Sequence, residues 1–222
     1  MFEPYFLLVT LHVVLFAYWL GGDYGVFVCS RYIARPDLSV AERGRFLEAL
    51  MAIDILPRTA IVLLPVVGLQ LVKMRGLVHI SPALLMTAWG IAVAWLVVIW
   101  MAYRTQRKPS GKYWQRIDVS WRVLLILTLI GTGTVSLLNS WPVSGNWVAV
   151  KLLVYAALLI VGLYLRLAIR SWRQGFASLR AGASGPEIDA LFIDGRRRAK
   201  YAAFFFWSLI VVMAWLGIRQ PF

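Results

Sequence analysis

The sequence predicts an all-α membrane protein, a polytopic bundle of about six transmembrane helices, from three observations. Hydrophobic residues make up 61% of the 222 residues and charged residues only 15%, and the mean hydropathy is +0.74. A typical soluble domain carries about 25% charged residues. Several apolar runs also reach the roughly 20 residues that a helix needs to cross the hydrocarbon core of a bilayer. A soluble globular protein is therefore excluded.

The apolar runs predict the spans, which together form a single integral membrane domain over residues 1–222. Their expected bounds are 4–28, 46–72, 83–104, 118–139, 147–172 and 201–219. Six crossings place both chain ends on the same side of the membrane. The sequence contains no Gly-rich nucleotide-binding motif and no separate soluble domain, so any chemistry takes place in the membrane or with a partner.

The connections carry signals for helix starts and turns. Ser39 is followed three residues later by Glu42, and Ser184 by Glu187, which is the spacing of a capping box. We therefore expect the second and sixth spans to begin as helices inside these connections. The uncharged segment 140–147 has a Trp near each end, which predicts a tight surface turn with both indoles at interfacial depth.

The basic residues predict the orientation of the chain. There are 23 Lys and Arg against 10 Asp and Glu, a formal net charge of +13. Most of the basic residues lie in the connections on one side, within 29–45, 104–116 and 166–200. Because cytoplasmic loops carry the excess of Lys and Arg, we expect these connections on the cytoplasmic side of a bacterial-type inner (plasma) membrane. Both chain ends are then expected to face outward (N-out, C-out). Loop topology accounts for the charge, so no nucleic-acid partner is expected.

Cysteine and histidine are scarce. Cys29 is the single cysteine, which excludes an internal disulfide and a Cys-cluster metal site. The two histidines, His12 and His79, are too few for a polyhistidine metal cage. Each of them is still a candidate metal ligand, because a neutral imidazole is the commonest one.

Ionisable residues inside the spans are the best functional candidates, because charge is costly in hydrocarbon. Those expected toward the cytoplasmic side are Asp23, Asp54, Arg58 and Arg122. Their charges balance, so they predict a structural ion-pair network joining spans one, two and four, with a proton pathway as the alternative. Pro57 and Pro65 are expected to distort span two and to free backbone carbonyls.

His12 and Lys151 fall in the outer half of their spans. An imidazole that faces the bundle interior can ligate haem iron or a metal, or relay a proton, and a hydrogen-bonded structural histidine is the alternative. Lys151 either snorkels to the interface or binds a carboxylate such as a propionate. His12, Trp19 and Asp23 share one face of the first helix.

The run from His12 to Gly22, His-Val-Val-Leu-Phe-Ala-Tyr-Trp-Leu-Gly-Gly, resembles the first helix of the CopD-like copper-resistance membrane proteins and of the HemJ-type protoporphyrinogen oxidases. Trp147 and Lys151, four residues apart, are similar to the pair that opens a later helix in the HemJ-type family. The resemblance implies haem ligation by His12 and substrate contact by Lys151. Segments 19–27 and 53–58 resemble an uncharacterised bacterial inner-membrane family related to these two.

These observations give three functional hypotheses. The leading one is a haem-binding membrane protein of redox type, with haem b as cofactor and a quinone as electron acceptor. The second is a transporter for a small solute or copper ion, or a proton-coupled permease, gated by the intramembrane carboxylates and arginines. The third is a non-catalytic anchor or assembly subunit whose basic loops contact membrane lipids or a partner protein, with a homo-oligomer as a further possibility. Whether the protein is an enzyme stays open at this point.

Each candidate residue has an expected role. The candidate catalytic residues are Lys151, Asp54 and Arg58. The candidate cofactor-binding residues are His12, Trp19 and Arg122. Asp23 is the candidate substrate-binding residue, and His12 and His79 are the candidate metal ligands.

Overall fold

A computed structural model describes residues 3–220 of the protein. Within them the chain is almost entirely helical and contains no strand. The helices are α1 (Pro4–Ile33), α2 (Val40–Met74), α3 (Pro82–Arg104), α4 (Gly111–Asn139), α5 (Asn146–Ala168), α6 (Ser171–Arg180) and α7 (Pro186–Arg219). Six described segments, with α5 and α6 counted together, are long and apolar enough to cross a membrane. The prediction of an all-helical, six-span fold is confirmed.

The long helices pack as a closed bundle. Helices that follow one another in the chain lie side by side, and α7 contacts both α5 and α1. α2 is the most enclosed of them, because half of its most apolar stretch of 18 residues is buried. The main core includes Val67 of α2, Trp95 of α3, Leu158 of α5 and Ile210 of α7.

The connections define the two ends of this bundle. We call the end formed by 34–39, 105–110 and 169–185 the basic end, because it holds the predicted basic segments. The other end, formed by 75–81 and 140–145 together with the first turn of α1 and the last turn of α7, is called the terminal end.

The two predicted capping boxes have different outcomes. At the start of α2 the box is present: the Ser39 hydroxyl accepts a hydrogen bond from the Glu42 N–H, and the Glu42 carboxylate accepts one from the Ser39 N–H at 2.8 Å. At the start of α7 the predicted box is wrong. Gly185 is the N-cap there, at φ 138, and no side chain caps the helix. Pro186 at the first helical position needs no partner for a backbone N–H, so the helix begins without one.

Both prolines of α2 lie inside an unbroken helix. Pro57 packs against Gly22 of α1, where an added Cβ would lie 2.7 Å from the proline Cδ. Pro65 has no N–H to donate to Ile61, its partner four residues back. The Tyr155 hydroxyl of α5 donates to the Ile61 carbonyl instead, at 2.7 Å. A neighbouring helix therefore satisfies the carbonyl that proline leaves free.

The fifth span differs from its prediction at the basic end. The spanning helix α5 ends at Ala168, and a separate amphipathic helix, α6, follows it. The apolar face of α6 buries Trp172 and Phe176 against Phe192 of α7 in a second core at the basic end. Gly175 makes this contact possible, because an added Cβ would lie 2.4 Å from the Phe192 ring.

The connection 140–145 also differs from its prediction. Trp141 is 70% exposed, as expected for an indole at the membrane surface, but Trp147 is only 7% exposed. Trp147 packs with Val78 and Val143 in a third apolar cluster, which joins this connection to the one between α2 and α3. The Ser144 hydroxyl accepts a hydrogen bond from the His79 N–H at 2.8 Å, which links the two connections further.

Candidate functional site

A cavity of about 420 Å³ lies at the terminal end between α1, α2, α5 and α7. Its walls are mostly apolar, and its ionisable lining residues include His12 and Lys151. Its volume falls within the roughly 300–1,000 Å³ of small-molecule sites. Two candidate residues that are 139 positions apart in the chain are thus brought to a single cavity by the packing of the bundle.

His12 has an unpartnered nitrogen at this cavity. Its Nδ1 is buried and has no hydrogen-bond partner among residues 3–220. Gly68 of α2 faces the ring, so that an added Cβ would lie 3.3 Å from its Cε1. A buried polar atom without a partner is costly. His12 therefore does not have the hydrogen bond that a purely structural histidine is expected to form.

Lys151 of α5 also lines the cavity. Its Nζ is 5.7 Å from the centroid of the Trp147 ring, within the range of a cation–π interaction. It also lies close to Gly217 of α7, where an added Cβ would be 2.9 Å away. None of the ion pairs between described residues includes Lys151. Its charge is therefore available to an anionic ligand.

Three further lining residues shape the cavity. Trp19, a candidate from the sequence, is 3% exposed and contributes an aromatic wall. Tyr155 lines the cavity while its hydroxyl is held by the Ile61 carbonyl. Arg75, the C-cap of α2, is an exposed second cation at the edge of the cavity. In the sequence Arg75 stands out only as a loop charge, and Tyr155 does not stand out at all.

The cavity is open on its side. Val13 of α1 and Ile218 of α7 line it, yet they are 61% and 81% exposed. Both lie on the outer surface of helices that are long and apolar enough to span a membrane. The cavity therefore communicates with the lipid-facing surface between α1 and α7.

The remaining intramembrane candidates lie elsewhere, in a cluster of charges toward the basic end. Its centre is Asp118, which is 2% exposed. The Asp118 carboxylate accepts hydrogen bonds from Trp95 Nε1 at 2.9 Å and from Arg122 Nε at 3.2 Å. Arg166 of α5 completes the set at 2.7 Å. We call Asp118, Arg122, Arg166 and the residues joined to them below the charge cluster.

The cluster extends through α2 to α1. Asp54 and Arg58 form an ion pair one turn apart on α2. Arg58 lies near Asp118 and Asp23, but no ion pair between described residues joins it to either of them. Asp23 Oδ2 is buried without a hydrogen-bond partner among the described residues. The cluster thus brings together three carboxylates and three guanidinium groups, and Asp23 is the carboxylate that forms no ion pair within residues 3–220.

The candidate residues of the sequence therefore fall into two separate groups. His12, Trp19 and Lys151 share the cavity, whereas Arg122 is bonded within the charge cluster and does not line the cavity. No ion pair between described residues joins spans one, two and four as predicted: Asp54 and Arg58 pair within α2, Asp118 and Arg122 pair within α4, and the pair of Asp118 with Arg166 links α4 to α5 instead. Asp118 and Arg166 fall at the edge of a predicted span and in a basic segment, so that neither stands out as intramembrane in the sequence.

His79 lies apart from both groups. It is exposed in the connection 75–81, and its backbone N–H is bonded to Ser144. Among residues 3–220, no group of three or more His, Cys, Asp or Glu side chains is arranged to hold a metal ion. Its assignment as a metal ligand stays a prediction.

Comparison with protein families, with curated proteins and with solved structures finds no match to this chain. The resemblance of the first helix to CopD-like and HemJ-type proteins therefore stays a prediction, and the site has to be interpreted from its own geometry.

Proposed function

We propose that the terminal-end cavity binds an amphipathic, anionic cofactor, that this cofactor is haem b, and that the protein has a redox role in the membrane. The observation that carries the proposal is that His12 and Lys151 line one mostly apolar cavity, where among residues 3–220 His12 Nδ1 has no hydrogen-bond partner and Lys151 has no ion pair. When bound, haem supplies one-electron redox chemistry.

The residues of the cavity fit a haem. Histidine is a common axial ligand of haem iron, and the His12 imidazole has no hydrogen bond through Nδ1 that would commit it to a structural role. Lys151 and Arg75 provide two cations at the same cavity, which matches the two propionates of haem b. Trp19 and Tyr155 provide flat aromatic walls. In this arrangement the protein supplies ligation, charge neutralisation and exclusion of water.

The test is an absorption spectrum of the detergent-purified protein, produced with haem available and recorded oxidised and dithionite-reduced. We expect a Soret band with reduced α and β bands. The His12→Ala variant is expected to lose these bands. His79→Ala is the matched control, because it removes the other histidine at an exposed position outside the cavity, and it is expected to keep the spectrum.

Two outcomes contradict the proposal. A colourless wild-type protein after reconstitution with haem excludes haem as the ligand. A Soret band that survives His12→Ala but is lost in His79→Ala places the haem away from the cavity.

A quinone is the second candidate ligand, favoured by the lateral opening at Val13 and Ile218. A quinone is dissolved in the lipid phase, so a ligand of this kind reaches the cavity without crossing water. His12 and Lys151 are then hydrogen-bond donors to its carbonyl oxygens. Binding of decylubiquinone to the colourless protein, weakened in His12→Ala and Lys151→Ala but not in His79→Ala, supports this ligand instead of haem.

A further inference from the structure

Arg31 and Arg196 are two neighbouring arginines at the basic end. Arg31 lies in the last turn of α1, one turn after Phe27, and Arg196 of α7 places its guanidinium 5.5 Å from the centroid of the Phe27 ring. None of the ion pairs between described residues includes either of them. Arg196 Nε is moreover buried without a hydrogen-bond partner among residues 3–220.

This arrangement differs from that of Arg43, an enclosed arginine at the same end. Arg43 is 2% exposed, and it donates to the Ile33 carbonyl and to Asp189, both at 2.8 Å. Its Nη2 also has no hydrogen-bond partner among the described residues, so the contrast lies in the ion pair, which Arg43 has and Arg196 does not. Arg31 is exposed and Arg196 is half-buried, so the two guanidinium groups are accessible to an anion from outside the chain.

An aromatic surface begins next to the two arginines and continues along the line where α1 and α7 meet. The Arg196 guanidinium lies 5.5 Å from the centroid of the Phe27 ring. Phe27 in turn contacts Phe204 and Trp207, with centroid distances of 5.8 and 5.3 Å. Tyr24 continues the row at 6.1 Å from Trp207. We call this row of residues, with the two arginines at its basic end, the α1–α7 seam.

The seam faces the lipid. Tyr24 is 59% exposed and Phe204 is 48% exposed, and both lie on helices that are apolar and long enough to span the membrane. Arg31 is one helical turn beyond Phe27, about 6 Å further along α1. The charged pair therefore lies at headgroup level when the aromatic row lies among the acyl chains.

We propose that the α1–α7 seam is a binding site for an anionic phospholipid, with Arg31 and Arg196 holding its phosphate and the aromatic row holding its acyl chains. Guanidinium groups bind phosphate with paired, charge-assisted hydrogen bonds. The exposed rings provide the apolar surface that the chains need. A zwitterionic lipid brings its own cation to the arginine pair, so the site discriminates by headgroup charge.

The experiment is native mass spectrometry of the delipidated full chain in detergent, titrated with dioleoylphosphatidylglycerol or with dioleoylphosphatidylcholine. We expect the wild-type protein to prefer phosphatidylglycerol. A basic side chain near an anionic surface strengthens binding about fivefold, so Arg31→Gln/Arg196→Gln is expected to weaken phosphatidylglycerol binding about 25-fold. Phosphatidylcholine binding is expected to stay unchanged.

The matched control is Arg173→Gln/Arg180→Gln, which removes the same charge from exposed positions on α6 and is expected to keep the preference. The conservative pair Arg31→Lys/Arg196→Lys is expected to retain most of it. Should the double glutamine variant fail to fold, the single Arg31→Gln change at an exposed position still tests the site, with an expected loss of about fivefold.

Four results overturn the proposal. If both glutamine pairs lose the preference equally, net charge and not the seam selects the lipid. If Arg31→Gln/Arg196→Gln binds phosphatidylglycerol as the wild type does, the arginines do not form the site. If glycerol phosphate competes as well as the intact lipid, the pair binds a free anion, and if an acidic peptide is the better competitor, the occupant is a protein.

Discussion

Asp118 and Lys151 are both ionisable residues within apolar, span-length helices, and they have opposite surroundings. Trp95, Arg122 and Arg166 each place a side-chain nitrogen within 2.7–3.3 Å of an Asp118 carboxylate oxygen. The Lys151 ammonium has the Trp147 ring beside it and no acidic partner among the described residues. Both are enclosed in the bundle, yet only the first is fully bonded by the protein itself.

The difference separates the structural from the functional use of intramembrane charge. A fully bonded carboxylate holds helices together, because removing it leaves guanidinium groups unpaired in a medium of low dielectric constant. A cation that forms no ion pair at a cavity does not stabilise the fold in this way, and it is therefore a candidate for ligand binding. Asp118→Ala and Lys151→Met test this contrast directly, and Gly22→Ala and Tyr155→Phe test the helix packing that holds the two sites apart. The four are given from the largest expected effect to the smallest.

The largest loss of stability is expected for Asp118→Ala. It leaves Arg122 and Arg166 without their shared acceptor, and breaking an enclosed ion pair costs about 3–5 kcal/mol. Unfolding in mixed detergent and SDS micelles measures the change. Asp194→Ala, which breaks an exposed pair with Arg197, is the control and is expected to cost less than about 1 kcal/mol. Equal losses for both variants contradict the structural role of the charge cluster.

Gly22→Ala is expected to follow. The new Cβ would lie 2.7 Å from Pro57 Cδ, and overpacking of this kind costs about 1–3 kcal/mol. Gly21→Ala is a closely matched control, because its Cβ meets nothing within 4 Å. It is expected to be neutral or to stabilise α1 by up to about 1 kcal/mol. The same unfolding assay compares the stabilities of the two variants. A Gly22→Ala protein that is more stable than Gly21→Ala contradicts the close approach of α1 and α2.

Tyr155→Phe, a change at the cavity, is expected to lower the stability by less than Gly22→Ala does. It removes the donor to the Ile61 carbonyl that Pro65 leaves free, and hydrogen bonds between membrane helices contribute about 0.6–1.7 kcal/mol. Tyr113→Phe changes an exposed ring and serves as the control. If Tyr155→Phe unfolds at the same SDS fraction as the wild type, another group already satisfies this carbonyl.

Lys151→Met is expected to leave stability unchanged or to raise it by up to about 1 kcal/mol, since an unpaired ammonium is costly in an apolar cavity. The same variant is expected to weaken retention of the cofactor in the absorption assay, because Lys151 no longer neutralises a carboxylate. Lys200→Met, at an exposed position, is the control for both measurements. A Lys151→Met protein that is less stable by more than about 2 kcal/mol places a partner for this lysine within the protein and removes the contrast with Asp118.

Those parts of the fold that depend on residues close together in the chain could be predicted from the sequence. Composition and the lengths of the apolar runs predict the six-span helical fold, because a helix satisfies its own backbone polar groups in lipid. The capping box at Ser39 is predicted correctly because it depends only on two residues that are three positions apart in the chain. The short helix α6 is not predicted, because Trp172 falls at the end of the predicted fifth span and Phe176 in a basic connection. Only the packing of both rings against Phe192 of α7 shows that they share the apolar face of one helix.

The candidate residues show the same division. The sequence by itself determined that His12, Asp23, Asp54, Arg58 and Lys151 are unusual in hydrocarbon, because each is an ionisable residue type well inside an apolar run. Only the tertiary structure decided that Asp118 is bonded by Trp95 and Arg166, and that His12 and Lys151 lie at one cavity, where the described residues offer no hydrogen bond to His12 Nδ1 and no ion pair to Lys151. Partners on different helices are fixed by how those helices pack, and no spacing within a single span carries that information.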